Sequence, residues 1–106
     1  MPFAKDGIVI RKVEKEDAGW KRRFAALYAG CGFHTHGRKS AHAYFAAYSG
    51  KELVGHSEIF YAGRKWVMDG LRVKTEFRER GIAKALTRAR IVYGIGKGAK
   101  EIWYSC

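Results

Sequence analysis

The sequence predicts an α/β (α+β) domain: a mostly antiparallel mixed sheet of about five strands with flanking helices. Three observations carry this expectation. The runs Ala43–Tyr48, Leu53–Tyr61 and Trp66–Val73 are β-rich and follow one another through short Gly-containing connections, the pattern of antiparallel hairpins. Ahead of them, Gly7 to Val13 (G-I-V-I-R-K-V) is a β-branched run suited to a strand at or near a sheet edge. After them, Ile82, Leu86, Ala89 and Tyr93 recur at helical spacing, and a last strand-like run, Glu101 to Cys106, follows. The 106 residues contain no linker, repeat or low-complexity tract, and 47% hydrophobic content supports one domain, 1–106, with a modest core.

Taken in order, Glu14, Glu16 and Asp17 place acids where a helix begins, which suits its dipole. Trp20, Phe24, Leu27 and Cys31 then form one apolar helical stripe, with Lys21, Arg22 and Arg23 facing outward and Gly30 and Gly32 ending it. Gly32 to His42 is polar. Its His34, His36 and His42 join Cys31 in a set that suits zinc chemically, but the spacing matches no closed zinc motif and Cys31 belongs to the helix stripe. No metal site is expected, and a substrate-contacting loop is the better reading, because loops carry such contacts. Gly50 and Gly63 mark the two hairpin turns. Gly70, inside the third β-run, predicts a bulge or a close approach by another backbone or a ligand. Gly96 and Gly98 end the second helix.

Charge narrows the ligands. Twenty-one Lys and Arg against ten Asp and Glu give a formal net charge of +11, a field that favours nucleic acid, an acidic surface or a nucleotide cofactor. No nucleic-acid-binding module or Arg-rich tract appears, so a basic nucleic-acid-binding module is an alternative reading rather than the first. Two cysteines make no disulfide framework, which agrees with a reducing compartment. No apolar run approaches membrane-spanning length and the start M-P-F-A-K-D-G lacks a signal peptide's apolar core, so a cytoplasmic location without membrane contact is expected.

The stretch from Leu71 to Lys97 carries the chemistry. It reads as a strand end, a short basic loop and an amphipathic helix, with Arg78-Glu79-Arg80-Gly81-Ile82-Ala83 (R-x-x-G-x-A) at the helix entrance. A helix start leaves backbone N–H groups without partners and concentrates positive dipole there. Gly81 lets a phosphate approach the backbone, and Arg78, Arg80 and Lys84 add charge, so the segment is an anion cradle suited to a pyrophosphate. A basic loop facing water would share this composition; the alternating Leu71 and Val73 before it and the helical spacing after it favour the cradle.

The same residues resemble the GNAT superfamily of acetyl-CoA-dependent N-acetyltransferases. Leu71, Val73, Phe77, Arg78, Gly81, Ala83 and Leu86 fall on its segment L-x-V-x-x-x-[FY]-[RQ]-x-x-G-x-[GA]-x-x-L, and E-L-V-G-H-S-E-I-F resembles the family's third strand. The resemblance implies an enzyme that transfers acetyl from acetyl-CoA to a primary amine. The pantetheine arm would run along Leu71, Arg72 and Val73, and the pyrophosphate would rest on Glu79, Arg80, Gly81, Ile82, Ala83 and Lys84 beside Arg78. A strand N–H near Leu71 would polarise the thioester carbonyl. Asp69 and Glu58 are the candidate bases, with His56 third; period-two alternation puts Asp69 on the face of Leu71 and Val73. Relative to the family's full domain, the chain ends after the fifth strand, without the last helix and strands. A homodimer covering the C-terminal sheet edge is therefore expected, and a CoA-binding domain without turnover is the other reading.

Overall fold

In the computed structural model, which describes residues 4–5, 7–14, 19, 22 and 41–104, the three β-rich runs form one antiparallel meander. Its strands are β3 (Ala41–Ser49), β4 (Glu52–Ala62) and β5 (Lys65–Val73), preceded by β1 (Ala4–Lys5) and β2 (Ile8–Lys12). The turn between β4 and β5 has Gly63 and Arg64 at φ 60° and 67°, the paired positive values that match strand twist in a two-residue hairpin. Helix α1 (Ile82–Gly96) then crosses the sheet and returns the chain as β6 (Ile102–Tyr104), parallel to β5. The strand order is β1-β2-β3-β4-β5-β6. The two-residue β1, turned back onto β2 at Gly7, stands ahead of the five strands that the sequence predicts.

The sheet's two faces divide the side chains. Ala43, Phe45 and Ala47 of β3, Ile59 of β4 and Met68 of β5 meet Ile82 and Leu86 of α1 in the main core. The opposite face gathers Ala46 and Leu53 with Val13, Tyr44 and Tyr48. The helix reaches close contact at Gly55, where an added Cβ would lie 3.2 Å from Leu86 Cδ1 and 3.3 Å from Ala47 Cβ. The row that α1 buries is Ile82, Leu86, Arg90 and Gly94. Ala89 and Tyr93, expected in the buried stripe, flank that row and are only partly buried. The difference arises because the fully buried row contains a charged residue, which apolar spacing does not count.

The first predicted helix, with Trp20, Phe24, Leu27 and Cys31, and the polar loop with His34 and His36 lie outside the described residues; His42 belongs to β3. Among the described residues no helix is long and apolar enough to cross a membrane.

The Leu86–Gly55 contact predicts coupled stability. Leu86→Ala is expected to cost about 2–5 kcal/mol through the cavity left behind, and Gly55→Val about 1–3 kcal/mol through overpacking. Urea unfolding of the double variant should show a loss smaller than the sum, because each change relieves the other. Strict additivity would refute the contact as described.

Candidate active site

The site begins where β5 loses one of its neighbours. β6 pairs with β5 at Trp66↔Ile102, Val67↔Trp103 and Met68↔Tyr104, and among the described residues the ladder ends there. On its other side β5 continues along β4 to His56↔Arg72 and Gly55↔Val73. Among the described residues the segment from Asp69 to Val73 thus presents an open edge at a fork between β5 and β6.

A bulge shapes that fork. Between Glu58↔Asp69 and His56↔Arg72, β4 contributes Ser57 alone while β5 contributes Gly70 and Leu71, so β5 carries one extra residue. Gly70 has φ 64°, and its N–H donates to Asp69 Oδ1 at 2.7 Å. A Cβ on Gly70 would sit 3.0 Å from Glu58 Oε2. Of the alternatives expected at Gly70 the bulge is present, and the group that comes close is the Glu58 side chain, neither a backbone nor a ligand.

Beyond Val73 the chain makes a 3-10 turn, Thr75–Phe77, then a loop with two left-handed positions, Glu79 (φ 62°) and Gly81 (φ 83°). For Glu79 that conformation costs about 1–2 kcal/mol. Arg78 Nε donates back to Val73 O at 3.0 Å, tying the loop to the strand end, and the Arg80 guanidinium lies 4.9 Å from the centre of the Phe77 ring. Gly81 is the N-cap of α1; it offers no side-chain cap, and the first turn contains no acid. A helix start leaves its first amides without partners in the helix, and this one borders a cleft of about 170 Å³ lined by Val73, Phe77, Arg78, Glu79, Gly81, Ile82, Ala83 and Lys84. Successive amides turned one way by left-handed residues make an anion-binding concavity. This donor set fits a pyrophosphate, with the Glu79 carboxylate as its one opposing charge. Leu71 and Arg72 stand upstream on the open edge, outside the cleft lining.

On the sheet face away from α1, the register aligns Tyr44, Glu58 and Asp69 across three strands, with His56 two residues along β4. Asp69 is therefore not on the face of Leu71 and Val73. The extra residue of the bulge breaks the two-residue alternation, so Leu71 and Val73 pack towards α1 while Asp69 pairs with Glu58. Glu58 and His56 are buried, and His56 stacks on Tyr44 with ring centres 5.8 Å apart. Burial, helped by the charge of Arg90, lowers the His56 pKa to about 3, so its ring is neutral near pH 7. Burial and then the Glu58 carboxylate push the Tyr44 hydroxyl up to about 12. From the other face comes Arg90, which sequence reasoning missed; its only signal was its place in the row of Ile82, Leu86 and Gly94. Among the described residues no group of three His, Cys, Asp or Glu could hold a metal ion.

A family model described as the acetyltransferase (GNAT) family matches residues 9–106. The chain belongs to the GNAT family. No curated protein matches the sequence. Among solved structures, the chain is similar to an aminoglycoside acetyltransferase, meta-AAC0020, from an uncultured soil metagenomic sample, in complex with trehalose. The identity is 18% and the TM-score 0.77, over 96% of this chain and 79% of that one. Against AAC(6')-Iy in complex with the bisubstrate analogue CoA-S-monomethyl-acetylneamine, identity is 21% and the TM-score 0.74, over 93% and 79%. Against a GNAT family acetyltransferase of Staphylococcus aureus they are 14% and 0.74, over 94% and 87%. These likenesses establish the GNAT fold. GNAT enzymes take their acetyl group from acetyl-CoA, and AAC(6')-Iy is also known in complex with CoA.

The buried histidine of this GNAT domain predicts a pH effect. Its pKa is about 3 when folded against 6.5 for an ordinary His, so the unfolded chain binds the extra proton across that interval. Stability should rise with pH from about 3 to 6.5 and level off above, His56 contributing at most about 1.4 kcal/mol per pH unit. Urea midpoints of His56→Gln should be less pH-dependent below 6.5 than those of the wild type. Equal pH slopes would contradict the burial argument.

Proposed function

We propose that this protein is an N-acetyltransferase that moves the acetyl group of acetyl-CoA to a primary amine. The observation that carries this reading is the cleft at the uncapped start of α1, continuous in sequence with the open edge of β5. The amides from Glu79 to Lys84, with Arg78, Arg80 and Lys84, hold the pyrophosphate. Leu71, Arg72 and Val73 offer strand hydrogen bonds along the pantetheine arm, as a neighbouring strand would. Bound acetyl-CoA supplies an acetyl thioester. A backbone donor near Leu71 then faces the oxygen on which negative charge develops, at no cost in reorganisation.

The amine must lose a proton, directly or through water. Glu58 is the assigned acceptor of that proton. Asp69 already spends an oxygen on the Gly70 N–H, and His56, with its lowered pKa, is a weak base. We also infer a dimer formed at β6, an edge strand on which Trp103 and Tyr104 stand exposed. Sedimentation equilibrium should give twice the chain mass; a monomer at high concentration would remove this inference.

Titration calorimetry tests the donor site. The wild type should bind acetyl-CoA saturably and more tightly than ATP. Gly81→Glu, which adds a side chain and a charge in the cradle, should weaken acetyl-CoA by at least about tenfold, or 1.4 kcal/mol, with circular dichroism unchanged. Binding without acetyl transfer to any amine would support a CoA-binding domain instead. No binding by the folded wild type would refute the reading.

A further inference from the structure

Arg90 has no role in the reading above, yet among the described residues it is the largest of the fully buried side chains. Its row on α1 is otherwise Ile82, Leu86 and Gly94, where an apolar residue would fill the space without taking a charge out of water. Its partners explain where the guanidinium sits. Nη1 donates to Glu58 O and to Asp69 O, each at 3.3 Å, and Nη2 donates to Thr87 Oγ1 at 2.8 Å. The guanidinium carbon lies 5.9 Å from the centre of the Tyr104 ring. Glu58 and Asp69 face one another as the last pair before the bulge, and Tyr104 is the last of the described residues of β6 that pair with β5. One cation thus touches β4, β5 and β6 at the point where the fork opens.

We propose that Arg90 is a positioning residue for acetyl transfer: from the helix side it clamps the Glu58–Asp69 pair, and so fixes the Gly70–Leu71 bulge and the open β5 edge. The proposal rests on the reading of that edge as the acetyl-CoA site. Two long bonds from one nitrogen return little stability for burying a charge; what they supply is geometry. The Asp69 carbonyl belongs to the same peptide unit as the Gly70 N–H. Arg90 pulls on that carbonyl while the N–H donates to Asp69 Oδ1, so the two bonds polarise one another and lock the turn of the strand. Arg90 itself touches no substrate; it acts through Asp69 and Gly70.

The test compares the wild type, Arg90→Met and Arg90→Lys by amide-resolved hydrogen exchange without ligand, and by the carbonyl ¹³C shift of bound [1-¹³C]acetyl-CoA. Arg90→Met should fold, because its helix row becomes wholly apolar. Exchange at Gly70 and Leu71 should quicken by about tenfold or more while the centre of α1 stays protected. Acetyl-CoA affinity should stay within about threefold, and the carbonyl shift should move towards that of free acetyl-CoA as the aligned donor is lost. Arg90→Lys keeps the charge but lacks the planar fork, and should fall between the two; it carries the test if Arg90→Met fails to fold. Unchanged exchange at Gly70 and Leu71 in a folded variant overturns the clamp. Faster exchange with an unmoved carbonyl shift overturns its role in the reaction. Failure of the wild type to bind acetyl-CoA overturns the site reading and this proposal with it, while the exchange result still decides the clamp as a property of the fold.

Discussion

A β-strand cannot keep two neighbours and also turn away from one of them without an irregularity, and in this chain the irregularity is the Gly70–Leu71 bulge. Among the described residues, β5 is paired on both sides up to Met68 and follows β4 alone from Asp69. Gly70 alone suits the position, since the site needs both φ 64° and a missing Cβ against the Glu58 carboxylate. Everything downstream inherits its direction from that residue. The strand end at Val73 receives the Arg78 side chain, the 3-10 turn follows, and α1 starts beside the edge that the bulge has opened.

The loop that enters α1 shows the same concentration of local cost near the open edge. A Ser or Asp at the N-cap would offer a side-chain acceptor to one helix amide, yet the position holds Gly81, at a φ of 83° that such side chains disfavour. Two residues earlier, Glu79 accepts a left-handed backbone that its side chain disfavours. Neither choice helps an isolated helix. On the proposed reading, amides left without a side-chain cap take their stabilisation from an anion instead of from the chain.

The sequence made the hairpins, the helix entrance and the special status of Gly70 readable, because each is written in local backbone demands. Gly50 and Gly63 announce turns, and R-x-x-G-x-A announces a loop that meets a helix. What stayed hidden depends on register. Alternation counted from Leu71 places Asp69 on the helix face, and one inserted residue reverses that placement. The pairing of Glu58 with Asp69 joins residues 11 apart through a long hairpin, and no local spacing shows it. Arg90 was hidden for a different reason. Periodicity ranks positions by apolarity, so it chose Ala89 and Tyr93 and passed over a charge whose acceptors lie on two strands.

Those acceptors also give the sheet an electrical sense at the bulge. The guanidinium of Arg90 approaches from the helix side, while Glu58 and Asp69 direct their side chains to the opposite face, next to Tyr44 and a neutral His56. In a buried region of low dielectric, such a separation of charge across one sheet is felt strongly. On the proposed reading, it has the polarity that transfer requires. The amine nitrogen gains positive character as it attacks the thioester, until its proton passes to the base, and is favoured on the carboxylate face, whereas the thioester oxygen gains negative character at the edge that the cation holds. An apolar residue at position 90 would preserve the packing of α1 and remove half of that field. The stability forgone by burying a charge is then intelligible as the condition for a fork whose geometry and polarity are set before any ligand arrives.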